Sequence, residues 1–225
     1  MAIHLQFDRI PPGRVIGPHR HAVETIVYLA AGELVFEHGE GLERRVLVGA
    51  GDVLYETPSE HHLVRNEGRT DALALVASVE TAEGSRDRGS WIWQRPEAPV
   101  RRWTEATVSD EAGIARRLIS RAGDLGAPAF AVSEVEVAPG SASDWHRHPG
   151  AEHALVVLEG RGTICVEEAT ETIEPLSGIR IVPGAVHRVI ATSRTPLRYI
   201  VIGTPGLDPA RDRQPAAAPE RQRDG

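Results

Sequence analysis

Two pairs of histidines, each with one residue between its members, are the first feature of this 225-residue chain that could do chemistry. His19 and His21 form one pair, and His146 and His148 form the other. Strand side chains alternate, so histidines at i and i+2 project from the same face, roughly 6–7 Å apart at the backbone. Two imidazoles at that separation can converge on one ion, so each pair is a candidate pair of metal ligands.

Each pair is followed by a further histidine that can complete a site. His62 lies 43 residues after His19, and His187 lies 41 residues after His146, just beyond a Pro-Gly turn. Clusters of histidine with a carboxylate suit Zn, Fe, Mn, Ni or Cu better than Mg or Ca. We therefore expect a divalent transition metal, bound in one or both halves of the chain.

The residues alone leave the fourth donor of each site open. In the second half Glu152 and His153 are neighbours shortly after His148. Neighbouring strand residues point to opposite faces, so only one of the two can reach the ion unless a bulge intervenes. In the first half Glu24, beside Thr25, is the corresponding acidic residue.

The elements that must position these histidines are short strands. Apolar and often β-branched runs such as 26–29 and 73–76 alternate with turn sequences such as 11–13. Many short strands at this spacing predict an all-β sandwich or barrel. The strongest helical pattern covers residues 110–120, although 114–119 fit a strand equally well.

An internal repeat divides the chain into two similar units. Residues 17–32 read GPHRHAVETIVYLAAG and residues 144–160 read DWHRHPGAEHALVVLEG, and a Pro-Gly pair precedes each first histidine at the same distance. We predict an N-terminal barrel over 1–83, a connecting segment over 84–126 that contributes in part to the barrels, a C-terminal barrel over 127–207 and a disordered tail over 208–225.

Composition excludes several classes of function and suggests a location. The net charge of −7 disfavours a nucleic-acid partner, and the absence of lysine excludes Schiff-base chemistry. One cysteine, Cys165, rules out an intrachain disulfide and favours a reducing compartment. The first residues lack the basic start and apolar core of a signal peptide, and no apolar run is long enough to span a membrane. We expect a cytoplasmic protein with no membrane partner.

The duplicated histidine pattern resembles the cupin superfamily, and the duplication resembles the bicupins. The first family motif, G-x5-H-x-H-x3/4-E-x6-G, is matched by Gly13, His19, His21 and Gly32 and again by Gly140, His146, His148 and Gly160. The second motif, G-x5-P-x-G-x2-H-x3-N, is matched by Gly51, His62 and Asn66 in the first half and by Gly184 and His187 in the second. The resemblance implies two tandem, jelly-roll-like cupin β-barrels.

The resemblance also implies two ligand sets. Counted back from the last motif glycine, the position of the family's glutamate falls on Thr25 in the first half and on His153 in the second. The implied second site is His146, His148, His153 and His187, with Glu152 as the alternative fourth ligand, and the implied first site is His19, His21 and His62, with Glu24 as the fourth.

Three functions are compatible with the resemblance. The first is a metal-dependent dioxygenase, an oxidoreductase that acts on a small organic molecule, and the second is a metal-dependent isomerase, lyase or decarboxylase. The third is a non-catalytic bicupin that binds a small molecule. The sequence identifies no catalytic residue, although Arg180, Arg188 and Arg198 are candidates for binding an anionic substrate. A homodimer is also compatible with the resemblance.

Overall fold

The fold is built from strands and turns, in two compact units. The computed structural model describes residues 2–80, 100–101, 106–120, 130–204 and 212–220, and these residues contain no α-helix. One unit comprises Met1–Glu105 with Ala122–Ala129, and the other Ala106–Arg121 with Phe130–Gly225. We call them the first barrel and the second barrel. Within the described ranges, no helix has the length and apolarity needed to cross a membrane.

The described part of the first barrel forms two antiparallel sheets. Its strands are β1 (Ala2–Ile10), β2 (Val15–His19), β3 (Glu24–Ala31), β4 (Glu33–His38), β5 (Arg44–Gly49), β6 (Val53–Glu56), β7 (His62–Arg65), β8 (Ala72–Glu80) and β9 (Val100–Arg101). One sheet has the order β1-β8-β3-β6-β9 and the other the order β2-β7-β4-β5.

The described part of the second barrel repeats this arrangement. Its strands are β10 (Thr107–Glu111), β11 (Ile114–Ser120), β12 (Ala131–Val137), β13 (His146–Arg147), β14 (Glu152–Glu159), β15 (Gly162–Val166), β16 (Ala169–Ile173), β17 (Gly178–Ile181), β18 (His187–Ala191), β19 (Leu197–Thr204) and β20 (Gln214–Pro215). The sheet orders are β10-β11-β12-β19-β14-β17 and β16-β15-β18-β13-β20.

Alternation along the strands places one core inside each barrel. On β3, Val27 and Leu29 belong to the same buried cluster as Leu54 of β6 and Val64 of β7, in the opposite sheet. Leu54 lies two residues before Glu56 on β6, and Val64 lies two residues after His62 on β7. Residues two apart on a strand point to the same face, so His62 and Glu56 project to the side on which the core lies. Burying a side chain of this size contributes about 1.5–3 kcal/mol, so the core fixes which residues point inward.

The turn that follows the first motif requires glycine in both barrels. Gly32 and Gly160 both have φ near +80°, a left-handed conformation that other residues rarely adopt. A Cβ added to Gly32 would lie 2.8 Å from the Cα of Ala72, and one added to Gly160 would collide with the carbonyl oxygen of Pro196. The predicted duplication of an all-β unit is thus confirmed down to the backbone of this turn.

Residues 110–120 are not helical. They contribute to the antiparallel hairpin of β10 and β11, and β11 also pairs with β12 of the second barrel. Backbone pairing on both sides of β11 overrides the weak helical periodicity of the sequence. These residues belong to the segment predicted to connect the barrels, of which residues 84–99, 102–105 and 121–126 lie outside the described ranges.

Part of the tail predicted to be disordered is a strand. β20 pairs with β13, placing Pro215 opposite His146 and Gln214 opposite Arg147, and the backbone N–H of Ala216 donates to the Trp145 carbonyl at 3.0 Å. A composition rich in Pro, Ala, Arg and Asp predicts disorder, but pairing with an existing strand needs backbone groups rather than apolar side chains. The expectation of disorder therefore does not hold for Gln214–Pro215, whereas 208–211 and 221–225 lie outside the described ranges.

Asn66, the one asparagine of the family motif that the chain retains, has a structural role. Its fully buried side chain donates to the carbonyls of Ile10 and Thr70 at 2.7 and 2.9 Å and accepts from the Gly68 N–H at 2.9 Å. Removing this side chain leaves the three backbone groups without their hydrogen-bond partner. Asn66→Ala should therefore lower the free energy of unfolding by about 2–3 kcal/mol, as measured by urea denaturation.

A matched control for that variant is available on the same loop. Glu67 is exposed and forms an ion pair with exposed Arg45, so Glu67→Ala should cost less than about 1 kcal/mol. Equal losses for Asn66→Ala and Glu67→Ala would contradict the assigned role of Asn66.

Candidate metal centre

Three histidines of the second barrel meet at one point. One ring nitrogen from each of His146, His148 and His187 lies within 4.8 Å of the others, and all three residues are buried. The pairing of β13 with β18 sets His146 directly opposite His187, with ring centroids 4.2 Å apart. His148 follows two residues after His146, and its ring lies 5.1 Å from that of His146.

The structure distinguishes between the two possible fourth donors of this cluster. The ring of His153 lies 4.1 Å from that of His148 and 6.2 Å from that of His187. Glu152 points to the other face of β14, where its two oxygens accept hydrogen bonds from Arg180 at 2.5 and 3.0 Å. His153 therefore faces the three-histidine cluster, beside His148, and Glu152 does not, because neighbouring strand residues face opposite sides.

Backbone carbonyls fix which nitrogen of two rings faces the cluster. The Nδ1 atoms of His146 and His187 lie 2.8 and 2.9 Å from the carbonyl oxygens of Asp144 and Ala185. A carbonyl oxygen only accepts, so each Nδ1 carries the proton and donates it. Each Nε2 is then left with a lone pair, which is the form of imidazole that binds a metal.

Burial keeps these rings neutral. Loss of solvation lowers the pKa of His146 to about 3, of His148 to about 2 and of His153 to about 4, and it also lowers the pKa of His187. Among the described residues, both ring nitrogens of His153 and Nδ1 of His148 have no hydrogen-bond partner. Unpartnered buried nitrogens are costly, and a bound ion would satisfy one nitrogen of each ring that it contacts.

The cluster opens into a small cavity of about 40 Å³. Its walls combine the four histidines with apolar side chains, among them Leu155 and Val189, and with the polar groups of Arg116, Ser143 and Tyr199. Burial raises the pKa of Tyr199 to about 12, so its hydroxyl keeps its proton. A space of this size holds about three water molecules and suits a small ligand.

The arginine in this cavity is not one of the three that the sequence suggested. Arg180 pairs with Glu152, Arg198 pairs with several glutamates, and the guanidinium of Arg188 lies 5.1 Å from the centre of the Trp145 ring. None of the three lines the cavity, whereas Arg116 does. Sequence reasoning missed Arg116 because a strand assignment for 114–119 was needed to see that every second side chain faces the core.

The first barrel also gathers three histidines. One nitrogen from each of His19, His21 and His62 lies within 4.8 Å of the others, and the rings of His19 and His62 are 4.4 Å apart. His62 Nδ1 lies 3.2 Å from the Glu60 carbonyl oxygen, the same contact to residue i−2 that His187 makes. Burial lowers the pKa of His62, and His61 beside it is exposed, as its position in the strand pattern predicts.

The acidic residue at this cluster is Glu56 rather than Glu24. Glu56 Oε2 lies 3.0 Å from His21 Nε2, and Oε1 lies 3.5 Å from His62 Nε2. The hydrogen bond that His21 donates to Glu56 raises the pKa of His21. Glu24 lies on the opposite face of β3 from Thr25, which is paired with Glu56, so it does not join the cluster. The motif spacing could not reveal Glu56, because it lies on β6, outside the first motif.

Solved structures with a similar fold include oxalate decarboxylase from Bacillus subtilis, a protein with Mn(II) centres. One such structure has a TM-score of 0.75 at 15% sequence identity and covers 92% of this chain and 70% of that chain. Another, at pH 4.6, has a TM-score of 0.72 at 15% identity and covers 89% and 67%. At this identity the likeness establishes the fold alone.

A curated relative has a higher identity over a shorter stretch. The oxalate-binding protein of Thermotoga maritima is 41% identical over 72 residues, which is 32% of this chain. The matched region spans 57% of that relative's own length. The name of that relative refers to oxalate binding, and the likeness is confined to the matched stretch.

A family model matches the chain twice, once in each barrel. The cupin domain model covers residues 6–78 and 133–203, which together make up more than half of the chain. The two matches coincide with the two histidine clusters and with the repeated turn at Gly32 and Gly160. The chain therefore belongs to the cupin domain family and is a bicupin.

Proposed function

We propose that the second barrel is a metal-dependent site for a small carboxylate such as oxalate, and that it cleaves a carbon–carbon bond as a decarboxylase. One observation carries the proposal: four neutral imidazoles and the guanidinium of Arg116 line the same small cavity. The similarity to oxalate decarboxylase and to an oxalate-binding protein supports this chemistry over the dioxygenase that the sequence suggested. The dioxygenase stays a prediction.

The donor set fits a divalent transition metal. His146, His148, His153 and His187 offer imidazole nitrogens, which suit Mn, Fe, Ni, Cu or Zn rather than Mg or Ca. Two of the four are oriented by backbone carbonyls, and His153 is buried with both nitrogens unpartnered among the described residues. When bound, such an ion supplies a Lewis acid that polarises a coordinated oxygen.

Arg116 supplies the positive charge for an anionic substrate. A guanidinium binds a carboxylate through two parallel hydrogen bonds, and this geometry orients the anion as well as holding it. Ser143 lines the same cavity, and its oxygen accepts the Val189 N–H at 3.0 Å, a contact that does not use the hydroxyl proton. The surrounding apolar side chains exclude water, which strengthens the attraction between Arg116 and a bound carboxylate.

Tyr199 is the residue that could deliver a proton. Splitting the carbon–carbon bond of an oxalate monoanion releases CO2 from its carboxylate and leaves a carbanion that takes a proton at carbon. The carboxyl proton of the resulting formic acid then returns to the donor, which leaves formate and restores the donor. Tyr199 lines the cavity, and the raised pKa of its hydroxyl, about 12, keeps the proton in place until a strong base forms. We assign Tyr199 the role of proton donor.

A second candidate function is oxalate binding without turnover. No carboxyl group lines the described part of the cavity, so proton transfer depends on hydroxyl groups with high pKa values. A site of this composition would bind metal and anion tightly and react slowly. The similarity to a relative named for oxalate binding supports this alternative.

Products identify which of these functions the protein has. With the metal-loaded protein and oxalate, we expect formate and CO2 in equal amounts, with no net O2 consumption, measured by NMR and by an oxygen electrode. Stoichiometric O2 uptake would support the dioxygenase instead. Tight binding of oxalate by calorimetry, with neither product nor O2 uptake, would support the binding function.

The ligand assignment is tested by His148→Ala. Removing one imidazole should release the ion of the second barrel, lowering bound metal by one ion per chain in elemental analysis of protein purified without chelators or a histidine tag. Arg147→Ala, an exposed neighbour, should leave the metal content unchanged. Unchanged metal in His148→Ala would show that the assigned ligand set is wrong.

The role of Arg116 predicts a selective loss of anion affinity. Arg116→Ala should weaken oxalate binding by about 10- to 100-fold in calorimetry while metal content stays the same, because a charge-assisted pair of hydrogen bonds is lost. Arg117→Ala removes the next arginine on β11, which faces the other side of the sheet. Similar losses for both variants would count against the assigned role.

A further inference from the structure

The two barrels use the same pair of backbone positions differently. In the first barrel Thr25 of β3 is paired with Glu56 of β6, and in the second barrel His153 of β14 is paired with Ile181 of β17. Directly paired residues of antiparallel strands project from the same face of the sheet. In the first barrel the residue of the pair that presents a donor to the histidine cluster is Glu56 on β6. In the second barrel it is His153 on β14, so the donor comes from the other strand of the pair.

Glu56 is placed for this role by burial as well as by register. Its side chain is 5% exposed and shares the inward face of β6 with Leu54, a residue of the core cluster. Its two oxygens approach two different histidines, His21 at 3.0 Å and His62 at 3.5 Å. The carboxylate therefore contacts two of the three rings of the cluster, one with each oxygen.

Thr25, the position at which the family motif has its acidic residue, does not supply the donor. Its hydroxyl lies 3.4 Å from the Val23 carbonyl oxygen, to which it donates. The only acidic residue next to it in sequence, Glu24, faces the opposite side of β3.

The contact between Glu56 and His62 brings together two groups that can bind one cation. His62 is 1% exposed and donates from Nδ1 to the Glu60 carbonyl, so the lone pair of the neutral ring lies on Nε2. This Nε2 has no hydrogen-bond partner among the described residues and lies 3.5 Å from a Glu56 oxygen, which also accepts. Two buried acceptors that face each other repel, whereas a cation held by both would be bonded to both.

We propose that Glu56 is the fourth ligand of a three-histidine, one-carboxylate metal site in the first barrel, formed with His19, His21 and His62. The carboxylate makes this site one unit more negative than the four-histidine cluster of the second barrel. Oxygen donors favour harder ions such as Mn2+, so the first site prefers Mn2+ more strongly than the second does. The proposal does not depend on the reaction assigned to the second barrel.

The experiment uses the full-length chain with the second site disabled. In a His148→Ala background, stripped of metal and titrated with MnCl2, binding is followed by calorimetry and by the Mn(II) EPR signal. We expect one Mn2+ per chain. Adding Glu56→Gln, which keeps the shape of the side chain and removes its charge, should weaken Mn2+ binding at least about 10-fold. Absence of Mn2+ binding in the background variant would overturn the proposal.

Glu24→Gln provides a matched control. It makes the same chemical change at a buried glutamate of the paired strand, on the face away from the cluster. We expect Mn2+ affinity to stay within about twofold of the background. Circular dichroism spectra and thermal unfolding of the metal-free proteins separate loss of a ligand from loss of fold.

Two results would refute the assignment of Glu56. One is unchanged Mn2+ affinity in Glu56→Gln, and the other is an equal loss in Glu24→Gln. Glu56→Asp gives a further check if Glu56→Gln proves unstable: it retains the charge and should bind Mn2+ more tightly than Glu56→Ala at equal stability. Equal affinity of those two variants would likewise refute the assignment.

Discussion

The hydrogen bonds from histidine Nδ1 to backbone carbonyls are the interaction on which both histidine clusters depend. His146, His187 and His62 each contact the carbonyl oxygen of the residue two positions earlier. The bond fixes the tautomer and the orientation of the ring together, and it leaves Nε2 bare toward the centre. Because the acceptor belongs to the backbone, the arrangement requires no particular neighbouring side chain. The repeated unit can therefore keep its cluster while most of the surrounding sequence differs.

The surrounding sequence does differ, and the differences are local. In the first barrel the side chain of Asn66 stabilises a loop through three hydrogen bonds to backbone groups. In the second barrel Ala191 occupies the matching motif position. Glu152 is held by Arg180 on the outer face of its strand, away from the imidazoles. The two barrels thus share their strand register and their inward-facing histidines. They differ at positions that the register does not constrain.

The sequence was sufficient to predict the duplicated all-β fold and the three histidines of each cluster, because both follow from short-range spacing on alternating strands. For the fourth donor of the second cluster the sequence favoured His153 and kept Glu152 as the alternative, because spacing counted from His148 allows either residue. The pairing of β14 shows which of the two faces the imidazoles. Glu56 and Arg116 could not be predicted in the same way. Each depends on which strands become neighbours, which is a long-range property that motif spacing does not contain.

The short strand β20 has a consequence for the durability of the second cluster. In the sheet order it lies outermost, next to β13, which carries His146. Without residues 214–215, the N–H and C=O groups of the ligand-bearing segment would form an open sheet edge, a template on which another chain can add a strand. By pairing with β13, the C-terminal segment therefore prevents another chain from pairing with the strand that carries His146, and so protects the protein from aggregation at that edge.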